Sequence, residues 1–246
     1  MDFFLLRMNR IQAYSMTHFM VVLVIVAIAL LAAVLLSKSP VSETAVVTCC
    51  GIVLAVFEVI KQILLTYVRG GVYAWSGLPF QLCSMPMYLS FVYILIRRSR
   101  DAIRCFIQIF GFIGAAAAFA IPYSSFYTYV ILTVQSLAWH GILLFMSMYF
   151  LLKHKEETEI PYRKAAGLYL LLACIALIIN ISLYDISEGT CNMFFFGPGD
   201  SAVGILETIA ARWGWVTSTI CMVAAALLAG NIVYRVMNCL RKKLRQ

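Results

Sequence analysis

The chain has 246 residues, of which 63% are hydrophobic and only 12% are charged, and its formal net charge is +8. A soluble globular domain is closer to half apolar and a quarter charged, so this composition excludes an ordinary soluble protein. It is typical of a protein that crosses a membrane several times, in which a basic excess reflects the cytoplasmic loops rather than nucleic-acid binding.

Seven apolar segments follow one another along the chain, each close to the length of about 20 residues that spans the hydrocarbon core. Turn residues or charges close them, such as Pro40, Gly70 and Pro122. The first segment is too long for a signal peptide and lacks a small-residue cleavage site, so we expect it to be retained. The sequence therefore predicts an all-α protein with one domain over residues 1–246 and transmembrane helices at about residues 18–36, 44–67, 79–96, 102–121, 126–152, 165–184 and 212–237.

Basic residues are concentrated on one side of this seven-helix arrangement. Fourteen of the 19 lie near the inner ends of the helices, in the loops after the first, third and fifth helices or at the C-terminal end. Because loops rich in Lys and Arg stay in the cytoplasm, we expect the N-terminus outside and the C-terminus in the cytoplasm. The fourteen are Lys38, Arg97, Arg98, Arg100, Arg104, Lys153, Lys155, Arg163, Lys164, Arg235, Arg241, Lys242, Lys243 and Arg245.

The eight cysteines show neither a CxxC pair nor any spacing typical of metal ligands. Most lie in apolar runs, where a cysteine behaves as a small hydrophobic residue. We therefore expect no disulfide framework and no metal site, and the absence of a phosphate-binding glycine loop argues against a nucleotide cofactor.

Two residues carry the clearest chemical signal. Cys83 follows the proline-containing entry to the third helix, and His140 lies in the middle of the fifth. A thiol beside an imidazole is an activated nucleophile, and ionisable groups at membrane depth are commonly functional. On its own helix, His140 shares a polar stripe with Thr133 and Ser136. The alternatives are that Cys83 only fills space and that His140 is a structural, hydrogen-bonded histidine.

The expected depths of these two residues in the membrane do not match. From the predicted outer ends of their helices, Cys83 lies about 9 Å deep and His140 about 20 Å deep. They can meet only if the third helix tilts or if residues 70–79 dip into the membrane. Helical spacing also places Gln81, Ser84 and Tyr88 on a face almost opposite to that of Cys83, and the sequence does not decide which face looks inward.

Further polar residues lie inside or between the apolar segments. Glu58 and Lys61 are one turn apart in the second helix. Either the two form a self-neutralising ion pair, or Glu58 is a proton or ion site. Asn180 and Gln108 are expected to form hydrogen bonds between helices. His154, in the basic loop after the fifth helix, is expected to be solvated. The segment 185–211, which contains Asn192, is long and aromatic and is either a functional cover or an interfacial anchor.

Three short motifs resemble the YwaF-like bacterial membrane proteins, which are related to transmembrane protein 164. They are Leu-Pro-Phe-Gln-Leu-Cys at residues 78–83, His-Gly-Ile-Leu at 140–143, and Asn-Met-Phe-Phe-Phe-Gly-Pro at 192–198. Their order and spacing agree with that family over nearly the whole chain. The resemblance implies seven helices in the plasma membrane of a bacterium.

Transmembrane protein 164 looks like a phospholipid acyltransferase that uses a cysteine and a histidine. If the resemblance extends to activity, Cys83 accepts the acyl chain and His140 is the general base. The implied substrate is a lipid that carries an acyl chain, and the implied surroundings are membrane lipids, without nucleic acid or cofactor. Residues expected to line the cavity are Gln81, Ser84, Tyr88, Thr133, Ser136, Asn180, Asn192 and Glu58, with Gln81, Ser84 or Asn180 as possible oxyanion donors.

Two other functions fit the same sequence. A small-molecule or proton-coupled transporter or binding protein would use Glu58, His140 and the Thr133–Ser136 stripe to line its path. A non-catalytic scaffold would offer the charged loop of residues 153–164 as a docking surface.

Overall fold

The computed structural model describes residues 6–121, 126–156, 160–199 and 204–246. Within these ranges the chain is helical, and its only strand-like pairing is a single bridge between Arg7 and Tyr129. The prediction of an all-α fold is therefore confirmed. The α-helices are α1 Met16–Lys38, α2 Glu43–Val68, α3 Met85–Leu95, α4 Arg100–Phe106, α5 Phe112–Ala120, α6 Val130–Lys153, α7 Tyr162–Ser182 and α8 Gly204–Arg245.

Six segments of the described chain have the length and composition of a membrane span. They are α1, α2, the stretch Arg97–Ala120 that contains α4 and α5, α6, α7 and α8. The third predicted helix is different, because its apolar helical part covers only Leu82–Leu95. Fourteen residues reach about 21 Å, which is less than the hydrocarbon thickness of about 30 Å.

The third helix starts later than the predicted residue 79 because of two prolines. Pro79 favours an extended residue before it, and Leu78 is indeed non-helical. Pro86 lies in the first turn of α3, where a missing N–H has no partner to lose. The carbonyl of Leu82 nevertheless has a donor, since the N–H of Met85 bonds to it.

Residues 69–84 fold back beside α2 instead of leaving the protein. The N–H of Gly71 donates to the carbonyl of Thr66, and the side chain of Gln62 donates to the carbonyl of Gly77 at 2.6 Å. Gln62 is six residues before the end of α2, so Gly77 lies about 9 Å below that end. The chain thus descends before α3 begins, which is the second of the two routes by which Cys83 can approach His140.

The predicted helix at 102–121 is interrupted by a π-helical turn, Ile107–Gly111. A π turn displaces the regular hydrogen bonds of a helix, and the carbonyl of Gln108 accepts instead from the hydroxyl of Ser147 on α6 at 2.6 Å. The amide oxygen of Gln108 accepts from Arg241 on α8. Gln108 therefore joins three helices, in agreement with its expected role.

One end of the helical bundle carries a network of ionic groups. Glu43 at the start of α2 bonds to His154, Arg104 contacts both His154 and Asp101, and Asp101 also pairs with Lys164. The expectation that His154 is solvated is wrong, because its side chain is only 14% exposed and has these two partners. Because α2, α4, α6 and α7 meet here, the network ties the predicted cytoplasmic ends of the helices together.

The last helix extends well beyond the predicted range 212–237. It begins at Gly204 and bends at Gly214, whose φ of 82° is accessible chiefly to glycine. The predicted turn after Pro122, residues 157–159 of the charged loop and residues 200–203 of the segment 185–211 lie outside the described residues.

Candidate functional site

Cys83 lies in a single 3₁₀ turn, Leu82–Ser84, directly before α3. The indole N–H of Trp139 donates to the backbone carbonyl of Cys83 at 3.1 Å. Opposite the thiol is Gly114 on α5, where an added Cβ would lie 3.3 Å from the Cys83 Cβ. The thiol is therefore held in the turn directly before a helix.

His140 lies on α6, one residue after Trp139. Its Nδ1 is 2.7 Å from the carbonyl oxygen of Ser136, and its ring meets the edge of Phe119 on α5. Because a carbonyl oxygen only accepts, Nδ1 carries the proton and Nε2 carries the lone pair. The imidazole is thus oriented with its basic nitrogen away from its own helix backbone.

The structure removes the mismatch in depth between the two residues. Trp139 is nine residues into α6, about 14 Å from the N-terminal end of that helix, and it contacts Cys83 directly. Both Cys83 and His140 keep partial exposure, whereas Trp139 and Ser84 beside them are buried. Among the described residues there is no hydrogen bond between the Cys83 thiol and the His140 ring. The two residues therefore lie at a similar level along the helices without a direct bond.

A polar cluster on α2 stands beside this pair. Glu58 is 5% exposed and forms an ion pair with Lys61 at 2.8 Å. Gln62 donates to the same Glu58 oxygen at 2.6 Å. Lys61 also acts electrostatically on both Cys83 and His140. Burial and the Glu58 carboxylate also raise the pKa of Tyr73 in the descending segment.

Gln81 and Asn180 bind the loop that contains the third motif. Gln81 donates to the carbonyl of Asn192 and accepts from the N–H of Phe194. Asn180 is fully buried and donates to the carbonyls of Met193 and Phe196. The expected role of Asn180 as an oxyanion donor is therefore wrong, because both of its amide hydrogens are used; it holds the loop instead.

The remaining expected lining residues have different roles. Thr133 bonds the backbone of Tyr127 and so stabilises the start of α6. Ser136 contributes its carbonyl to His140, and Asn192 contributes its carbonyl to Gln81. Tyr88 is partly exposed and packs against Phe80. Ser84 is buried next to Cys83, and its hydroxyl interacts with the thiol. Ser84 is therefore compatible with the expected role of oxyanion donor.

The sequence did not identify Trp139 or Gly114 as part of the site. The only signal for Trp139 was its position next to a histidine in an apolar helix. An indole N–H needs a hydrogen-bond partner when it is buried. Gly114 looked like one more small residue in an alanine-rich run. The described residues bring no three His, Cys, Asp or Glu side chains together in a way that would hold a metal.

Comparison with family models matches residues 13–234 to the TMEM164 family. No curated protein and no solved structure matches the chain. The predicted relation to transmembrane protein 164 is thereby confirmed, while the narrower YwaF-like assignment stays a prediction.

Proposed function

Because the chain belongs to the TMEM164 family and has the helices of a multi-pass membrane protein, we propose that it transfers acyl chains between membrane lipids. Cys83 would be the nucleophile and His140 the general base. The observation that supports this most is the hydrogen bond from Trp139 to the carbonyl of Cys83, which keeps the thiol beside the turn of α6 that carries His140.

In the first half-reaction, Nε2 of His140 takes the thiol proton and the thiolate attacks the ester carbonyl of a phospholipid. The resulting tetrahedral intermediate collapses to a thioester on Cys83. The ester oxygen leaves as the lysolipid alkoxide and takes the proton from the imidazolium. The absence of a hydrogen bond between the thiol and His140 is compatible with a site that tightens only when substrate binds.

In the second half-reaction, His140 removes a proton from the hydroxyl of a lysolipid, or from water. The oxygen attacks the thioester, and the thiolate leaves and recovers the proton from the imidazolium. Transfer to a lysolipid gives a new phospholipid, whereas transfer to water gives a fatty acid. The hydroxyl of Ser84, the residue after Cys83, is the donor for the oxyanion in both halves.

The direct test uses purified protein in lipid nanodiscs that contain a phospholipid with a labelled acyl chain. We expect a hydroxylamine-sensitive acyl adduct on Cys83. Cys83→Ala should remove the adduct and lower transfer by roughly 10³-fold or more, because a nucleophile has no substitute. His140→Ala should lower transfer by about 10²–10⁴-fold, the usual effect of a general base.

The matched control is Cys174→Ala, which removes an exposed thiol on α7 and should leave both measurements unchanged. Full-rate transfer by the Cys83→Ala protein would contradict the proposal.

A transporter is the second candidate, and the buried, partly unpaired carboxylate of Glu58 favours it. In that case Glu58→Gln would abolish uptake of the solute into proteoliposomes and Cys83→Ser would be tolerated. The substitutions Glu58→Gln and Cys83→Ser therefore distinguish a transporter from an acyltransferase.

A further inference from the structure

The side chain of Gln81 ties the turn that carries Cys83 to a loop from a distant part of the chain. Its Nε2 donates to the carbonyl of Asn192 at 2.8 Å, and its Oε1 accepts from the N–H of Phe194 at 2.9 Å. If the amide were flipped, donor would face donor and acceptor would face acceptor, so both bonds exist in this orientation alone. The side chain is therefore held at both of its polar atoms.

The backbone of Gln81 closes the turn around Cys83. Its carbonyl accepts from the N–H of Ser84 at 2.8 Å, and only Leu82 separates it from Cys83 in the sequence. Because the peptide units between Gln81 and Cys83 are planar and belong to this hydrogen-bonded turn, a shift at Gln81 is passed on to Cys83. The position of Gln81 therefore contributes to the position of the thiol.

The loop of residues 191–197, to which Gln81 is bonded, has a strained backbone. Phe194 and Phe195 have φ angles of 59° and 60°, a region that bulky side chains rarely adopt. Such conformations persist only where the surrounding structure holds them, and they cluster at functional sites. The bond from the N–H of Phe194 to Gln81 is one of the contacts that hold this backbone.

Two long helices anchor the same loop. Asn180 on α7 accepts from the N–H of Met193 at 2.7 Å and donates to the carbonyl of Met193 at 2.9 Å. On α8, the hydroxyl oxygen of Thr219 accepts from the N–H of Gly197 at 3.1 Å. The loop is therefore a support that is fixed to both α7 and α8.

We propose that Gln81 is a positioning residue, which holds the thiol of Cys83 in place by bonding its turn to the anchored loop of residues 191–197. The inference rests on the proposed acyl transfer and adds the group that keeps the nucleophile in its reactive position. Gln81 acts through the backbone of the turn, so the rate of reaction of bound lipid depends on it, whereas the affinity for lipid does not. This tie is separate from that of Trp139, which holds the carbonyl of Cys83 from α6.

The first measurement is steady-state acyl transfer in nanodiscs by Gln81→Met, which keeps the length of the side chain and loses both hydrogen bonds. We expect kcat to fall about 10- to 100-fold, because a small displacement of a reacting atom has an effect of this size. KM should change by less than about 2-fold, since no contact with the lipid is removed. Gln12→Met is the matched control and should leave both constants unchanged, because Gln12 is exposed on the N-terminal segment.

A double-mutant cycle with Thr219→Val tests whether Gln81 acts through the loop. Thr219→Val removes the acceptor for Gly197 and loosens the loop at α8 without touching the turn of Cys83. By itself it should lower kcat about 3- to 10-fold. In the Gln81→Met protein, where the loop no longer holds the turn, it should add less than about 2-fold. A direct oxyanion donor, the other role expected for Gln81, requires instead that the two effects multiply.

A measurement without turnover is the rate at which N-ethylmaleimide alkylates Cys83, followed by mass spectrometry. The exposed cysteines are first replaced by alanine. Gln81→Met should speed this alkylation at least about 5-fold, because a released turn opens more often. The buried thiol of Cys105 on α4 is the internal control, and its unchanged rate would exclude general unfolding.

An unchanged kcat of Gln81→Met, a change confined to KM, or multiplicative effects in the cycle would each overturn the proposal. Unchanged alkylation of Cys83 would overturn it as well, as would faster alkylation of Cys83 and Cys105 alike. If the wild-type chain transfers no acyl chain, the proposed function fails, and the alkylation rates by themselves then decide whether Gln81 holds Cys83.

Discussion

At the scale of single residues, the candidate site depends on groups that do not react themselves. Trp139 fixes the backbone of Cys83, the carbonyl of Ser136 sets which nitrogen of His140 is basic, and Gly114 leaves room for the Cβ of Cys83. Each acts through geometry, and a displacement of about 1 Å at a reacting atom can lower a rate by about 10²-fold. The reacting pair is thus defined as much by its neighbours as by its own chemistry.

We predict that Trp139→Phe slows acyl transfer about 10- to 100-fold in kcat with little change in KM, because the Cys83 carbonyl loses its donor while the lipid contacts remain. The measurement is steady-state acyl transfer in nanodiscs, together with the melting temperature. Trp213→Phe is the matched control, since Trp213 is exposed on α8 and has no such contact. A higher KM with an unchanged kcat would be inconsistent with a positioning role for Trp139.

At the scale of elements, close contacts between helices decide where the site residues stand. Helix α2 carries the polar cluster and packs on α3, which begins directly after Cys83. They are in close contact at Gly51, where an added Cβ would lie 2.7 Å from the Cβ of Ser90. Ser90 is itself fixed, because its hydroxyl bonds the carbonyl of Pro86 at 2.7 Å.

Gly51→Ala should destabilise the protein by about 1–3 kcal/mol, as expected when a methyl group is forced into a filled interface. Gly167→Ala on α7 is the control, because its added Cβ meets nothing within 4 Å. Alanine is a better helix former than glycine by up to about 1 kcal/mol, so this control should be neutral or stabilising. Thermal unfolding in detergent measures both, and an equal effect of the two substitutions would rule out the contact as the cause.

At the scale of the whole molecule, the two ends of the helical bundle have different chemistry. The network of Glu43, His154, Arg104, Asp101 and Lys164 closes the predicted cytoplasmic end. The candidate site and the descending segment lie toward the other end. If the basic residues set the orientation, the candidate site lies toward the outer leaflet.

The orientation is tested with single cysteines in a protein whose exposed native cysteines are replaced by alanine. In intact cells, a maleimide that does not cross membranes should label Thr128→Cys and should not label Lys38→Cys until the cells are opened. Both positions are exposed, so access to the reagent depends on the side of the membrane. Labelling of Lys38→Cys in intact cells would reverse the predicted topology.

The sequence by itself determined the class of the protein, six of its long apolar helices, the asymmetry of its basic residues and the identity of Cys83 and His140 as the reactive candidates. These follow from composition, hydropathy and residue chemistry, which are local properties of the chain. The ends of α3 and α8 were less predictable, because Pro79, Pro86 and Gly214 act through backbone geometry that an apolar run does not reveal.

Only the tertiary structure decided how the reactive candidates are arranged. The descent of residues 69–84 is held by the bond from Gln62 to Gly77, and the approach to α6 is held by the bond from Trp139 to Cys83. Each bond joins residues that are 15 or 56 positions apart. Depth calculated along isolated helices cannot include such contacts, because a buried polar group chooses its partner from whatever the fold places beside it.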